Sequence, residues 1–400
     1  MDLNQGLNVS EAIVLLTSML EEGAFAYILK GATALYVYGV EGVTLETIEC
    51  DFQWDALDEV HRLFQSYGAS TIEKSEDGAV FSVQLNGQPV CLSCQWNHVV
   101  RLDPNRLEIH FQGTTVFVQA VSAVIKGRGS EDPVLKAGKT YLADLQEHNT
   151  KLSREAWNYG TYEAWVKRFG DPENQGLTIA AHPRNKLSTV AQYLGEVQGK
   201  TVLNLMGSNG IKAVALAKLG ADAIVVDLSD ESSRYARELA EAAGVSLHYV
   251  VADVLQLQGD PSWTVKADII LMERGILHYF VDLTPLMEVV FSSLKPGGRF
   301  VLQDFHPIST KLIHSKGKKH KVDGNYFDQA IHKTPVATSK YMNDQAPQYV
   351  NQRRWSMGEI VTSVAGAGFY IKQLEESPNE KKDDQGIPKL FTLVAVKQAN

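Results

Sequence analysis

The stretch that most constrains this chain is residues 201–210, Thr-Val-Leu-Asn-Leu-Met-Gly-Ser-Asn-Gly. Val202, Leu203 and Leu205 read as a strand buried on both faces. Gly207, Ser208, Asn209 and Gly210 break it. Ile211, Val214, Ala215, Ala217 and Leu219 then recur at helical spacing until Gly220. Residues 223–226 form a second β-rich run, and Asp227 ends it. Strand, small-residue turn, helix and strand make a βαβ unit. In open parallel sheets a ligand binds at such a turn, against the free N–H groups of the following helix.

Asp227 falls beside that crevice, where a carboxylate can accept two hydrogen bonds from a ribose diol. On this unit alone, NAD and S-adenosylmethionine (SAM) both fit. From Lys200 onward strands and helices alternate to the end of the chain, the order of a doubly wound sheet.

Five segments in order sharpen the reading. They are residues 203–210; residues 225–229; residues 249–255 with Asp253; residues 268–280, which include Glu273 and His278; and the Lys295-Pro296-Gly297-Gly298 turn before a further strand. Together they resemble class I SAM-dependent methyltransferases over residues 157–397. The resemblance implies a Rossmann-like, mostly parallel sheet and SAM as cofactor. It assigns Gly207, Ser208, Asn209 and Gly210 to close backbone approach, Asp227 and Leu228 to the ribose, and Asp253 and Val254 to adenine. Glu273 and His278 are expected to face the methyl group. Asp304 and His306, at the end of the fifth strand, complete the set of possible bases. A base is optional, because SAM carries its own leaving group and the protein mainly aligns a nucleophile with the methyl.

The loop departs from the family pattern of an acid followed by G-x-G-x-G. Aligned on Gly210, Asn204 stands in place of the acid, Met206 of the first glycine and Ser208 of the second; Gly207 lies one place off. A neutral Asn204 holds an ammonium group less well than a carboxylate.

Before the sheet, Trp157, Tyr159, Tyr162, Trp165 and Phe169 crowd one segment. Such rings either fill a core or cover a cofactor crevice, with Tyr162 a candidate contact. Arg184 is a candidate partner for an amino-acid carboxylate. After the fifth strand, residues 307–352 form an insert expected to act as a substrate lid. It carries Lys311, His314, Lys316, Lys318, Lys319, His320 and Lys321. A charge run is first a solvated face; bordering the site, it would favour an anionic acceptor. Arg353 and Arg354 precede a helix start that the resemblance turns toward the pocket.

The first 130 residues read as α+β: a helix over residues 11–22 capped by Ser10, a strand over 25–29, a helix from Gly31, a strand over 47–52, a helix capped by Asp55, and a hairpin turning at Asn86-Gly87. Lys30-Gly31-Ala32-Thr33 and Glu49-Cys50-Asp51 resemble the nucleotidyltransferase-like fold, whose acids at i and i+2 share a strand face and hold magnesium. The later strand, residues 90–94, has no third acid. The domain is therefore expected to be inactive, a scaffold or recognition module, with no metal. Cys91 and Cys94 form a CxxC, but in a strand they point to opposite faces and cannot easily bridge.

The chain has 400 residues, net charge −9 and three cysteines. That length suits two domains, and the acidic balance favours a small molecule over nucleic acid. No leader and no long apolar run stand out, so a cytoplasmic protein away from membranes is expected. The expected division is a nucleotidyltransferase-like domain over residues 1–150, linker and aromatic cap over 151–195, and a methyltransferase over 196–400. The expected activity is methyl transfer from SAM to oxygen or nitrogen of a small molecule. The alternatives are a bifunctional nucleotidyltransferase/methyltransferase and a non-catalytic SAM-binding interaction protein.

Overall fold

The computed structural model describes residues 3–261, 263–316, 319–342, 346–380 and 386–399. The chain divides into two compact units, Met1–Leu145 and Gln146–Asn400. The division falls inside the helix Pro133–Trp157. No helix among the described residues is long and apolar enough to cross a membrane.

The first unit holds strands β1 (Tyr27–Leu29), β2 (Ile48–Phe52), β3 (Glu73–Lys74), β4 (Gly78–Leu85), β5 (Gln88–Gln95), β6 (Arg106–Phe111) and β7 (Thr114–Gln119). They make one mixed sheet in the order β3-β4-β5-β2-β1-β7-β6. The β4–β5 hairpin turns at Asn86 (φ 51°) and Gly87 (φ 76°), as a type I′ turn requires. Two local expectations change. The first helix runs Leu3–Glu22, so Ser10 lies inside it and bonds the Tyr36 hydroxyl instead of capping. Asp55 sits in a 3₁₀ turn, Trp54–Ala56, ahead of the helix Leu57–Phe64, which has no side-chain cap.

The second unit is built on β8 (Thr201–Leu205), β9 (Asp222–Asp227), β10 (His248–Val251), β11 (Ala267–Glu273) and β12 (Leu294–Phe305). The insert adds β13 (Ile313–Lys316), β14 (Lys319–Val322), β15 (Ile331–Pro335) and β16 (Tyr349–Arg353), and β17 (Tyr370–Pro378) and β18 (Pro388–Val396) close the chain. The main sheet runs β10-β9-β8-β11-β12-β18-β17. It is parallel through β12, while β18 is antiparallel to both β12 and β17.

Strand periodicity sends alternate residues to opposite layers. Leu203, Leu205, Ile270 and Met272 pack with Leu286, Val290, Ile360 and Val364 on one side. Val202, Val225, Ile269 and Leu271 pack with Val214, Tyr235 and Leu239 on the other. Helices therefore cover both faces, and strand order reverses between β8 and β11. A doubly wound sheet offers its ligand crevice at that reversal, outside the carboxyl ends of the strands.

Candidate functional site

A cavity of about 880 Å³ lies at those carboxyl ends, bordered by Met206 after β8, Asp227 at the end of β9, Asp253 after β10 and Glu273 at the end of β11. Its size suits a cofactor plus part of a second reactant.

The turn after β8 keeps an unusual backbone. Met206 (φ 50°), Ser208 (φ 47°) and Gly210 (φ 71°) all adopt the left-handed conformation. They are the three positions that the G-x-G-x-G pattern gives to glycine, so this chain holds that trace with two residues that resist it. Gly207 serves closeness instead: a Cβ there would stand 2.6 Å from Asn204 Oδ1. Asn204 itself is buried, and its amide nitrogen donates to the Leu271 carbonyl at 3.2 Å. It therefore stitches β8 to β11.

Asp227 fastens the turn to the strand end. Its Oδ2 accepts from Ser208 N–H at 2.9 Å and its Oδ1 from Ser229 N–H at 3.1 Å. Burial pushes its carboxyl up to about 6, against the pull of those backbone N–H groups. Each oxygen keeps a lone pair for a further donor. Asp253 accepts from Leu255 N–H at 3.0 Å, and burial raises its carboxyl too.

Glu273 is less well served. Its buried Oε2 lies 3.5 Å from Lys212 Nζ, at the outer limit of a hydrogen bond, and no described donor is closer. Burial raises the Glu273 carboxyl and lowers the Lys212 ammonium, in each case ahead of their mutual attraction. A buried acceptor without a donor is costly unless a ligand supplies one.

His278 is held low by burial, ahead of an opposing pull from Asp304 and a further push from Arg354. It borders the cavity as a neutral imidazole, its ring 4.5 Å from that of Tyr279. Trp157, Trp165 and Phe169 also line the cavity, so the aromatic segment serves both as core and as cavity wall. Trp157 Nε1–H donates to the Tyr279 hydroxyl at 3.2 Å, and Val336 and Val350 of the insert pack beside both rings.

Gly207, Ser208, Asn209, Asp227, Leu228, Asp253, Val254, Glu273 and His278 thus converge on one cavity. The other candidates do not line it. Gly210 packs against Ala236, where a Cβ would approach to 2.5 Å. Tyr162 bonds Glu238 and carries Arg234 4.1 Å above its ring. Arg184 is exposed on the helix Pro183–Leu187. Asp304 is buried and receives the N–H groups of Gly275, Ile276 and Leu277, fixing the loop that carries His278. His306 accepts from Ile308 N–H through Nδ1 at 3.1 Å and bonds Glu376 through Nε2. Strand alternation explains the pair: the end of β12 turns these side chains into packing and away from the crevice.

Lys212 and Lys186 line the cavity without having been singled out. Lys212 stands in the first turn of the helix Ile211–Lys218, where a lysine in a sequence reads as solvent-facing. The insert's basic run lies mostly in water: Lys319, His320 and Lys321 are exposed, and His314 pairs with Asp323. Lys311 is buried, donating to the carbonyls of Asp328 and Arg354. Lys318 and the Lys316 side chain lie outside the described residues.

In the first unit, Asp51 pairs with Lys30 at 2.6 Å and accepts from the Ser93 hydroxyl. Its carboxylate is already neutralised where the nucleotidyltransferase resemblance calls for a metal. Among the described residues no cluster of three or more His, Cys, Asp or Glu side chains could hold a metal ion. The three cysteines are unpaired, Cys94 buried and Cys91 half-buried as their strand alternation requires.

Residues 202–298 match the family described as Methyltransferase domain. The ubiquinone biosynthesis O-methyltransferase of Bordetella avium is 27% identical over 137 residues, covering 34% of this chain and 56% of that protein. The tRNA 5-carboxymethoxyuridine methyltransferase of Escherichia coli is 30% identical over 119 residues, covering 28% of this chain and 43% of that protein. The chain thus spans about half the length of the curated relatives it matches. The magnesium protoporphyrin IX methyltransferase of Synechocystis PCC 6803, solved with bound SAM, is 15% identical with a TM-score of 0.40 over 62% of this chain and 97% of that one. The second unit contains a methyltransferase domain, and SAM is its cofactor.

Proposed function

We propose that the whole protein is a SAM-dependent methyltransferase acting on oxygen or nitrogen of a small-molecule acceptor. The observation that carries this is the buried Glu273 oxygen, met only loosely by Lys212 at 3.5 Å, in a cavity that also collects Asp227 and Asp253. Those groups fit SAM. Asp227 would accept from ribose hydroxyls, and Asp253 from the adenine amino group beside Val254. Glu273 would accept from the amino-acid ammonium, and Lys212 would pair with the adjoining carboxylate. The charge that Asn204 lacks is thereby supplied from the neighbouring strand.

When bound, SAM supplies an electrophilic methyl on a cationic sulfur. The chain's own residues do the rest. Trp157, Phe169 and Tyr279 exclude water from the crevice. His278, its charged form disfavoured by burial, takes the proton of an acceptor hydroxyl or amine on a ring nitrogen. Asp304 holds the 275–277 backbone and so positions His278.

The first unit takes no catalytic part in this reading, since Lys30 and Ser93 already satisfy Asp51. The net charge of −9 favours a small acceptor over nucleic acid. The unpaired cysteines favour the cytoplasm. The test is formation of S-adenosylhomocysteine (SAH) from SAM across a panel of small phenols, amines and carboxylates. Acceptor-dependent SAH supports the proposal, and SAM binding without turnover on any of them leaves a binding protein instead.

A further inference from the structure

Beside the cofactor cavity lies a second one, of about 320 Å³. His278, Phe305 and Gln352 border both. The smaller cavity therefore opens toward the reacting end of the larger one through the side chain proposed as base.

Its walls are unlike in chemistry. Leu277, Trp355, Ile360 and Phe391 give it a buried apolar side. Trp355 is fixed there, its indole N–H donating to the Leu277 carbonyl at 2.9 Å. Arg354 supplies the polar side. The two consecutive arginines have separate roles: Arg353 is buried, paired with Glu359 at 2.8 Å and laid 3.7 Å over the Trp355 ring. The Arg354 side chain donates through one nitrogen to the Thr310 carbonyl and has no carboxylate partner among the described residues. A guanidinium has five donors in a planar fork, and the Thr310 carbonyl is the one acceptor this one shows among the described residues. Asp304 also borders the cavity, but its oxygens are committed to the backbone N–H groups of residues 275–277.

A half-buried guanidinium without a counter-charge, set against an aromatic wall, calls for a planar anion. We infer that the smaller cavity is the acceptor site and that it takes a small aryl or alkyl carboxylate, with the carboxylate on Arg354 and the apolar body against Trp355. This rests on the methyltransferase reading and narrows its acceptor to a class. Of the basic run of the β13–β14 hairpin, His314 also borders this cavity, paired with Asp323, while Lys319, His320 and Lys321 are exposed.

The test is calorimetric titration of SAH-saturated full-length protein with benzoate, its neutral isostere benzamide, and hexanoate. Wild type is expected to bind at least one carboxylate, and benzoate about tenfold or more tightly than benzamide if the aryl acid is the one that fits. Arg354→Met should abolish the preference for the anion while SAH affinity stays unchanged, which also reports that the variant is folded. Arg354→Lys, keeping the charge without the fork, should retain part of it. Three results overturn the inference while leaving the methyltransferase reading intact: no heat with either carboxylate, benzoate that binds but no more tightly than benzamide, or carboxylate binding undiminished by Arg354→Met. Failure of SAH to bind at all overturns both readings.

Discussion

Lys212 Nζ stands 3.5 Å from Glu273 Oε2, with each side chain 15% exposed, and no described donor comes closer to that oxygen. The two residues come from neighbouring elements of the sheet layer, the helix after β8 and the end of β11. They form a buried zwitterionic corner whose charges are only half-satisfied. Such an arrangement is unfavourable in isolation and becomes favourable when a ligand brings an ammonium and a carboxylate of its own.

Glu273→Gln is therefore expected to weaken SAH binding by about tenfold or more, the cost of losing a charged hydrogen bond. It should leave 5′-methylthioadenosine, which lacks the amino-acid end, nearly unaffected. Calorimetry with both ligands measures the difference directly. Equal losses for the two would place Glu273 elsewhere than at the ammonium.

Asp227 makes binding pH-dependent. Its carboxyl is raised to about 6 in the free protein, and hydroxyl donors favour the ionised form. Below about 6 the free protein carries a proton that must leave on binding, so SAH affinity should fall as pH drops through about 6, by up to about tenfold per unit. Asp227→Asn should bind more weakly at about pH 8 and lose this step, leaving the contributions of Asp253 and Glu273, whose carboxyls burial also raises. A wild-type affinity flat from about pH 8 to about pH 5 would contradict the assignment.

The left-handed turn gives a stability test. Ser208 holds φ 47°, a conformation that costs a side-chain-bearing residue about 1 kcal/mol or more. Ser208→Gly should add about 1 kcal/mol of stability and so raise the unfolding midpoint, with SAH affinity retained. Gly210→Ala should do the reverse, since its Cβ would stand 2.5 Å from Ala236. Thermal unfolding with and without SAH measures both.

His278 carries the chemistry in this scheme. With an acceptor that turns over, His278→Ala should lower kcat by about 10²-fold or more while SAH affinity holds. An unchanged kcat would mean that the acceptor reacts without a protein base.

Much of the second unit was legible in the residues. Alternation in residues 201–205 and 222–227 marks strands, and small residues between them mark the turn, so Asp227 and Asp253 fall at strand ends without any tertiary information. The type I′ hairpin at Asn86-Gly87 was equally local. What failed to show depends on direction or on distance. Asp304 and His306 follow a strand as Asp227 does, yet the antiparallel neighbour β18 and the loop at residues 275–277 claim them. Tyr162 belongs to the aromatic segment but faces the helix Asp230–Ala243, whose Glu238 holds it. Lys212 becomes a cavity residue only because Glu273, distant in sequence, is buried beside it. Arg354 and the second cavity arise where the insert returns to the sheet, a contact no local pattern encodes.

The most direct measurement is titration of the purified chain with SAM by calorimetry, wild type beside Asp227→Ala. One equivalent of SAM should bind to wild type, and the heat should disappear or weaken sharply in the variant. Absence of heat with both SAM and SAH in wild type, or undiminished binding by Asp227→Ala, would contradict an adenosyl site at the carboxyl ends of β8 to β11.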